Sequence, residues 1–377
     1  MHRRGDRLTS VAPAPRGGPS PAGDDLRPAT TVRPHRALRY PDDHVMRYFV
    51  TGATGFIGGE LARQLVNAGH QVVALVRTPS KATALRDLGA ELHPGDITDR
   101  DSLRAPMRGA DGVFHVAAWY KVGVRARGDA ESINVGGTRN VLETMRELGV
   151  PKGVYTSTVA IFSDTRGQLV DERYRFAGTH LSEYDRTKAK AHYEVAEPMM
   201  RAGLPLVCVL PGIVFGPGDT SSVRASLVDA LQGKLPVLPA RTAGCWAHVE
   251  DTVRGHVLAM EKGRPGEDYI VAGEPRTFAE VFTMAATMAG RRPPIAVPPG
   301  LLGALAPVAA LLEKVFALPP AYTGEGLRVI AGSTYFGNNA KARAELGFAT
   351  RPFEPAWRTT VEHEMRALGM TPPQRPS

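Results

Sequence analysis

Cysteine is scarce in this chain of 377 residues, which contains only Cys208 and Cys245. Neither cysteine belongs to a CxxC pair, and neither lies near histidines at metal-ligand spacing. The sequence therefore indicates neither a disulfide framework nor a zinc site, and we predict no metal site. Both cysteines are interpreted as buried apolar side chains rather than reactive thiols. This scarcity fits a reducing cytoplasm, which is the location we expect.

The sequence also lacks the basic stripe with interleaved aromatic residues that nucleic-acid-binding modules carry. Its formal net charge is +8, but eight arginines and five aspartates in residues 1–45 supply +3 of that charge. The remaining +5, which is +8 less +3, is spread over the rest of the chain. Nucleic acid is thus not an expected partner, whereas a modest positive charge suits a polyanionic cofactor.

No segment has the continuous apolar character of a membrane span or a secretory signal. Residues 1–45 are rich in Pro, Gly and Arg and show no apolar period, so we predict a disordered extension that is either dispensable or the result of a misassigned start upstream of Met46. The segment Leu301–Leu318 is strongly apolar, but it contains two charged residues and a proline. A bilayer span needs about 20 predominantly apolar residues. We predict a buried helical hairpin there, with a membrane-touching lid as the alternative.

Apolar runs of strand length alternate with segments of helical spacing from residue 48 onward. The predicted strands are 48–50, 71–76, 91–93, 112–117, 153–157 and 204–209, and the predicted helices are 58–68, 81–88, 102–108 and 131–148. Such alternation predicts an α/β fold, a doubly wound parallel sheet of the Rossmann type. We assign residues 46–213 to this cofactor-binding domain and 214–372 to a smaller mixed α/β substrate domain. Part of 236–273 is expected to return to the Rossmann sheet, and 373–377 form a tail.

Three glycines follow the first predicted strand in the sequence YFVTGATGFIGG. Gly52 permits a tight turn, Gly55 lets the backbone approach a pyrophosphate, and Gly58 allows the next helix to pack closely on the strand. The phosphates would then meet unpaired N–H groups at the positive end of the helix dipole. This loop predicts a dinucleotide cofactor, whose binding residues include the intervening Thr54, Phe56 and Ile57.

The residues after the second and third strands indicate which dinucleotide binds. The second strand ends at Arg77 rather than at an acidic residue, with Lys81 close behind, and these cations suit a ribose 2′-phosphate. We therefore predict NADP, with NAD as the alternative. Asp96 and Ile97 follow the third strand, where a carboxylate and an apolar wall suit the adenine. Asp96 is equally suited to capping a helix or turn.

A tyrosine and a lysine lie four residues apart in the helical stretch LSEYDRTKAKAHYEVAE. Tyr184 and Lys188 project from one helix face, so the ammonium is expected to lower the pKa of the phenol and make it a usable acid or base. A partner hydroxyl is expected from VYTSTVA, where Ser157 and Thr158 point to opposite faces. Only one of the two hydroxyls can therefore serve.

These motifs resemble those of the extended short-chain dehydrogenase/reductase superfamily, also called the NAD-dependent epimerase/dehydratase family, over about residues 46–368. TGATGFIG matches the family's glycine motif, Tyr184 and Lys188 its YxxxK pair, and HVAA at 115–118 its cofactor-lining segment. The matching NxxGTxN positions are Asn134, Gly137, Thr138 and Asn140. The stretches HVAAWYKV and HVEDTVRGHVLA are closer to the group of dihydroflavonol-4-reductase-like and hopanoid-associated epimerase-like members.

The resemblance implies roles for individual residues. It places Thr158 in the catalytic hydroxyl position, makes Tyr184 the residue that exchanges a proton with the substrate, and has Lys188 bond the nicotinamide ribose. It also implies cofactor contacts from a further set of residues: Ala117, Ala118, Asn134, Ser157, Pro211, Gly212 and Val214. A homodimer is compatible with the family.

The sequence is compatible with two enzymatic functions. The leading hypothesis is an NADP-dependent reductase that reduces a ketone or aldehyde of a small molecule, and the alternative is a sugar-nucleotide epimerase or dehydratase. The segment VLPGIVFGPGD lacks the asparagine that sugar-nucleotide members carry and has Pro211 and Gly212 there instead, which disfavours the alternative. A cofactor-sensing or scaffold protein without turnover is a remote third hypothesis, since Tyr184 and Lys188 are intact.

Several other residues are candidates for the substrate pocket or for polar chemistry. The pocket candidates are Trp119, Tyr120, Phe215 and Trp246, besides Thr158, although aromatic residues in such loops are as often part of the core. His248, Glu250 and Asp251 could be read as metal ligands or as an acid and base. We interpret them as the polar entry of a helix.

Overall fold

The computed structural model describes residues 44–120, 127–298, 300, 311, 329 and 332–373. The predicted extension up to residue 43, nearly all of the predicted hairpin at Leu301–Leu318 and the end of the predicted tail lie outside these residues. Among the helices that are described, none is both long enough and apolar enough to cross a membrane.

A seven-stranded, all-parallel sheet forms the centre of the molecule, in the order β3-β2-β1-β4-β5-β6-β10. Its strands are β1 Arg47–Thr51, β2 Gln71–Val76, β3 Glu91–Pro94, β4 Gly112–His115, β5 Gly153–Thr156, β6 Leu206–Pro211 and β10 Asp268–Val271. Helices cover both faces, so the predicted Rossmann-type α/β fold is confirmed. Strands β4 and β5 end earlier than predicted, which leaves Ala117, Ser157 and Thr158 in the loops beyond them.

The helices connect these strands and continue to the end of the described chain. They are α1 Phe56–Asn67, α2 Thr83–Asp87, α3 Asp101–Met107, α4 Arg127–Glu131, α5 Thr138–Glu147, α6 Glu183–Lys190, α7 Glu197–Arg201, α8 Ser222–Gln232, α9 Val249–Lys262, α10 Phe278–Met288, α11 Ala340–Leu346 and α12 Phe353–Ala367. The segments Ser132–Gly137 and Ala191–Ala196 are π-helical turns. The helix predicted at 81–88 is instead a 3-10 turn, Pro79–Lys81, followed by α2.

Alternation along each strand divides the core into two layers. In β1, Phe49 packs into the layer beneath α3, α5 and α6, while Tyr48 and Val50 pack into the layer beneath α1 and α9. Helix α1 buries Leu61 and Leu65 at helical spacing against the second layer. The sheet is therefore buried on both faces, which explains why its strands read as continuous apolar runs.

The chain after β6 builds two smaller sheets and then returns to the large one. Strands β7 Ile213–Phe215, β9 Ala243–His248, β11 Glu274–Thr277 and β13 Thr334–Tyr335 form one small sheet, and β8 Val237–Pro239 pairs with β12 Ile295–Val297. The return is made by α9 and β10, and β10 pairs with β6 as the seventh strand of the large sheet. The sequence predicted this return within 236–273. The domain boundaries themselves stay a prediction.

Phe215 and Trp246 are core residues. Phe215 is 1% exposed and Trp246 is 2% exposed, and both rings pack against Phe353 and Trp357. Edge-to-face packing of this kind is the usual arrangement of aromatic rings in a core. The prediction that these two side chains line the substrate pocket is therefore corrected, because their rings have no exposed surface to offer.

One row of polar side chains crosses the large sheet. The register pairs Thr51 with His115, His115 with Tyr155, Tyr155 with Cys208, and Cys208 with Asp268. These five residues come from five neighbouring strands and, being in register, lie on the same face. All of them are buried except Asp268, which is partly buried at the edge strand. We call them the polar row.

Candidate active site

Two glycines shape the loop between β1 and α1. Gly52 has a φ of +75°, and a Cβ atom there would lie 2.6 Å from the backbone nitrogen of Ala117. A Cβ at Gly58 would lie 2.2 Å from the carbonyl oxygen of Gly52. Both separations are far below van der Waals contact, so no side chain fits at either position. The bare backbone that results lets a pyrophosphate approach closely.

Helix α1 begins without a side-chain cap. Gly55 is the N-cap residue, so the first N–H groups, including those of Phe56 and Ile57, receive no capping bond from a side chain. A cleft of about 240 Å³ opens at this helix start, lined by Thr54, Gly55, Phe56, Glu60, Pro217, Gly218, Thr220 and Val249. Unpaired N–H groups at the positive end of a helix dipole bind anions. The residues present therefore fit the pyrophosphate of a dinucleotide.

The residues predicted to hold the adenosine half lie at the carboxyl ends of β2 and β3. Arg77 and Lys81 are exposed, and neither side chain forms an ion pair with any residue that the structure describes. Asp96 accepts hydrogen bonds from the N–H and the hydroxyl of Thr98, at 2.9 and 2.8 Å, so it caps a turn as the alternative interpretation had it. Ile97 is buried, and a Cβ at Gly137 would lie 2.5 Å from its side chain.

Tyr184 and Thr158 meet beyond the carboxyl end of β5. Ser182 caps α6 by accepting a hydrogen bond of 3.0 Å from the N–H of Asp185, which fixes the first turn on which Tyr184 lies. The Tyr184 hydroxyl is hydrogen-bonded to Thr158. The Ser157 hydroxyl is buried and has no hydrogen-bond partner among the described residues. Of the two hydroxyls left open by the sequence, Thr158 is thus the one that contacts Tyr184.

Lys188 lies one helical turn after Tyr184 and is 2% exposed. Its ammonium donates hydrogen bonds of 3.0 Å to the Tyr155 hydroxyl and 2.8 Å to the Thr156 carbonyl oxygen. Removal from water lowers the pKa of Lys188 to about 7. The amine therefore changes its protonation state near neutral pH, and small changes in its surroundings change the fraction that is charged.

The ionisation of Tyr184 differs from the expectation. Burial raises the pKa of Tyr184 to about 12, the hydrogen bond with Thr158 opposes this rise, and Asp185 adds to it. Lys188 lies with Tyr155 and does not lower the pKa of Tyr184 in this arrangement. The phenol is thus held protonated, which suits an acid that donates a proton more than a base that removes one.

Asn134 fixes the loop after β4. From the π-helical turn it accepts a bond of 2.8 Å from the Trp119 N–H, donates one of 3.0 Å to the Trp119 carbonyl and donates another of 2.9 Å to Thr187 on α6. The backbone after Ala117 and Ala118 is thereby tied to α6. Trp119 is almost buried, whereas Tyr120 is 52% exposed, so of these two aromatic residues only Tyr120 offers much surface.

Pro211, Gly212 and Val214 lie where β6 gives way to β7. Gly212 packs under the backbone of β9, because a Cβ there would lie 2.2 Å from the Cys245 carbonyl oxygen. A residue with a side chain has no room at this position.

Comparison with known proteins identifies the chain. The family model described as NAD dependent epimerase/dehydratase family matches residues 48–272. The chain belongs to this family. It is accordingly an enzyme of the NAD(P)-dependent oxidoreductase, epimerase and dehydratase type, with the extended short-chain dehydrogenase/reductase fold that its motifs resemble.

The chain spans most of the length of the two curated relatives and the solved structure that follow. The chain is 30% identical to sterol demethylase protein B of Methylococcus capsulatus, over 84% of this chain and 97% of the relative. It is 34% identical to the 4-hydroxy-2-methyl-3-oxo-4-farnesyl-3,4-dihydroquinoline-1-oxide ketoreductase of Stigmatella aurantiaca, over 81% of this chain and 92% of the relative. A crystal structure of gox2253 is 33% identical and superposes with a TM-score of 0.73, covering 86% and 99% of the two chains.

One polar cluster in this family member was missed by the sequence reasoning. His192 Nε2 lies 3.2 Å from an Asp268 carboxylate oxygen, and Cys208 completes a group whose ligand atoms all lie within 4.8 Å of one another. Cys208 is a thiol, because burial raises its pKa well above the usual value. The available signal was the spacing, since Tyr184, Lys188 and His192 are each four apart. His192 and Asp268 are hydrogen-bonded to each other, and the Cys208 thiol lies 3.4 Å from the Met200 sulfur, so we assign the cluster a structural role.

The residues at the start of α9 behave as interpreted. His248 is the N-cap residue and accepts a hydrogen bond of 3.3 Å from the Glu250 N–H. Asp251 is 6% exposed and receives bonds of 2.9 to 3.0 Å from the backbone and guanidinium of Arg351. These contacts occupy the polar atoms in capping and ion pairing, as expected for a helix entry.

Proposed function

We propose that this enzyme is an NADP-dependent reductase that reduces the carbonyl group of a small molecule. The observation that carries the proposal is the contact between Tyr184 and Thr158, in a chain whose glycine loop has no room for a side chain at Gly52 or Gly58. Tyr184 is held protonated, so it can donate its proton to the oxygen of a carbonyl as that oxygen gains negative charge. The bound cofactor would supply the hydride.

Each residue of the site has a distinct role in this proposal. Thr158 donates or shares a hydrogen bond with the carbonyl oxygen and with Tyr184, which fixes the oxygen within reach of the phenol. Lys188, as an ammonium, would bond the nicotinamide ribose and stabilise the tyrosinate that remains after proton transfer. A protonated lysine near that position lowers the free energy of the charged phenolate.

NADP is the proposed cofactor because of Arg77. Its guanidinium is exposed at the carboxyl end of β2 and, like the ammonium of Lys81, forms no ion pair with a carboxylate of the described residues. A 2′-phosphate would be bound there by two cations. NAD would leave both cations without a ligand.

The proposed substrate is a large and mainly apolar ketone. Two relatives support this class by name, because a sterol and a farnesyl-bearing quinoline oxide are both large apolar molecules, and the second relative is named a ketoreductase. The segment VLPGIVFGPGD supports the same choice, since it lacks the asparagine that the resemblance leads us to expect in sugar-nucleotide enzymes.

Turnover assays test the proposal. The protein would be incubated with NADPH, and in parallel with NADH, together with cyclic and long-chain ketones, while a second panel contains nucleotide sugars. We expect NADPH to be consumed in proportion to ketone. The Tyr184→Phe variant should lose at least about a hundredfold in kcat while binding cofactor normally, and Tyr193→Phe, on the same helical segment, should not. Retention of most turnover by Tyr184→Phe would refute the assignment.

Two results would favour the other hypotheses. Purified protein that retains bound NAD and interconverts nucleotide sugars without net NADPH consumption would indicate an epimerase. Cofactor binding without any redox exchange across both panels would indicate a sensor or scaffold. Each outcome is read from the same preparation, so the three hypotheses are separated by one set of measurements.

A further inference from the structure

Lys188 is hydrogen-bonded to Tyr155, a residue of strand β5 in the large sheet. The Tyr155 hydroxyl oxygen accepts a hydrogen bond of 3.0 Å from the Lys188 ammonium, which also lies 4.6 Å from the centre of the Tyr155 ring. Tyr155 is 0% exposed. The second partner of the ammonium is the Thr156 carbonyl oxygen at 2.8 Å. Of these two bonds from Lys188, the one to Tyr155 can be removed by a side-chain substitution.

Tyr155 is itself held by a chain of buried polar groups. Its hydroxyl is hydrogen-bonded to Thr138 on α5, and the Thr138 hydroxyl oxygen lies 3.0 Å from His115 Nε2. His115 Nδ1 lies 2.8 Å from the hydroxyl of Thr51, which follows Val50 at the end of β1. The His115 and Tyr155 rings are stacked, with centroids 5.3 Å apart and planes inclined by 18°. The chain of contacts thus runs from the glycine-loop strand to the catalytic lysine.

The protonation states of His115 and Tyr155 limit which atoms can donate hydrogen bonds in this chain of contacts. Burial lowers the pKa of His115 to about 3, so the imidazole is neutral, and one of its nitrogens donates while the other accepts. Burial raises the pKa of Tyr155, so its phenol keeps its proton. The Tyr155 oxygen accepts from Lys188, and its contact with Thr138 lowers the pKa of the phenol, in opposition to the effect of burial. In such a chain each bond polarises and strengthens the next.

We propose that Tyr155 is a positioning residue for Lys188, and that Thr138 and His115 orient it. The Tyr155 hydroxyl fixes the ammonium beneath the catalytic tyrosine and favours the charged form of the amine at a site that excludes water. The role in turnover rests on the proposed function, whereas the effect on the protonation of Lys188 does not. The inference rests on the pairing of His115 with Tyr155 in the sheet, on the bond from Lys188 to Tyr155 and on the contact between Thr138 and His115.

Removal of the Tyr155 hydroxyl is expected to change the pH at which Lys188 loses its proton. The charged form of Lys188 loses an acceptor when the Tyr155 hydroxyl is removed, while the neutral amine loses less. The pKa of Lys188 therefore decreases further, by about 0.5–1 unit for a hydrogen bond of ordinary strength. Above neutral pH, the ammonium becomes about three- to tenfold rarer. The alkaline limb of kcat should move to lower pH by the same amount.

Tyr155→Phe is the direct test, because it deletes one hydroxyl and keeps the ring. Tyr193→Phe is the matched control, since Tyr193 is on the turn after α6 and its ring contacts Arg175 instead of Lys188. The protein would be labelled with ¹³C-lysine, and the Lys188 Cε signal, assigned by its loss in Lys188→Met, would be followed across pH. We expect a midpoint near neutrality in the wild type, a lower one in Tyr155→Phe and no change in Tyr193→Phe.

The kcat profile is measured on the same variants with whichever ketone is turned over. A matching shift of the alkaline limb in Tyr155→Phe supports the proposal, and an unchanged midpoint and profile would overturn it, as would an equal shift in the control. If no ketone is reduced by the wild type, the proposed function fails, and the NMR midpoint still decides the role of Tyr155. Should Tyr155→Phe not fold, Thr138→Val removes the hydroxyl that is proposed to orient the phenol, and a downward shift is again expected; its absence would overturn the proposal.

Discussion

The Tyr335 hydroxyl donates a hydrogen bond of 3.2 Å to an Asp185 carboxylate oxygen, and Asp185 directly follows Tyr184. Asp185 is 3% exposed. Tyr335 lies on β13, about 150 residues further along the chain. The small sheet of the C-terminal half is therefore bonded to the first turn of α6.

Removal of this bond should destabilise the protein. Tyr335→Phe deletes the donor and leaves a buried carboxylate with one bond fewer, which costs about 1–3 kcal/mol of unfolding free energy for a bond to a charged group. Urea unfolding measures the difference. Tyr120→Phe, in which the altered ring is 52% exposed, is the control and should change the free energy by less than about 0.5 kcal/mol. Equal stability of the two variants would contradict the expectation.

The cofactor preference should depend on Arg77. Arg77→Ser removes the cation proposed to bind the 2′-phosphate, so we expect the affinity for NADPH to fall at least about tenfold, the equivalent of 1.4 kcal/mol. The affinity for NADH should remain nearly the same. Titrations of both cofactors provide the ratio. Arg86→Ser, an exposed arginine on α2, serves as the control for a general loss of positive charge. A parallel fall for both cofactors would remove the basis for the NADP assignment.

The two neighbouring hydroxyls after β5 should differ in importance. Thr158→Val breaks the hydrogen bond with Tyr184, and we expect kcat to fall about a hundredfold with little change in cofactor affinity. Ser157→Ala removes a buried hydroxyl that has no partner among the described residues, so its effect on kcat should be many times smaller. Steady-state kinetics of both variants decides the question. A larger loss in Ser157→Ala would reverse the assignment.

Acid should destabilise the protein partly through His256. Burial lowers the pKa of this imidazole from 6.5 to about 4, and the neutral ring accepts from Thr156 and donates to the Thr252 carbonyl. The unfolded chain binds a proton below pH 6.5 while the folded one does not, so the unfolding free energy falls as pH decreases from 6.5 to 4. The full loss is about 3 kcal/mol. Unfolding series at several pH values should show a shallower slope for His256→Gln, and identical slopes would contradict this attribution.

The features that were predictable from sequence are those that depend on residues close together along the chain. The glycine loop, the first five strands and the Tyr184 and Lys188 pair each lie within a dozen or so residues, where periodicity and spacing are informative. Their identities hold in the structure, with ends that shift by one or two residues because the chain ends strands and helices by local hydrogen bonding.

Other features depend on contacts between distant residues. The polar row arises from the register of five strands, and nothing local in VYTSTVA distinguishes Tyr155 as the partner of Lys188. Phe215 and Trp246 belong to the core because α12, which comes more than a hundred residues later, packs against them. The low pKa of Lys188 likewise follows from burial, which sequence spacing does not report. Such properties are set by tertiary packing and become visible only in the folded chain.

The seventh strand of the large sheet is made from residues 268–271, which follow β6 after an excursion of more than fifty residues. During synthesis, β6 must therefore remain an open edge until that segment has left the ribosome. Until then, Cys208 and His192 lack their contacts with Asp268. A fragment that stops at residue 213 would expose the same edge permanently and would be prone to pair with other chains. The large sheet is thus completed by a strand from the later half of the chain.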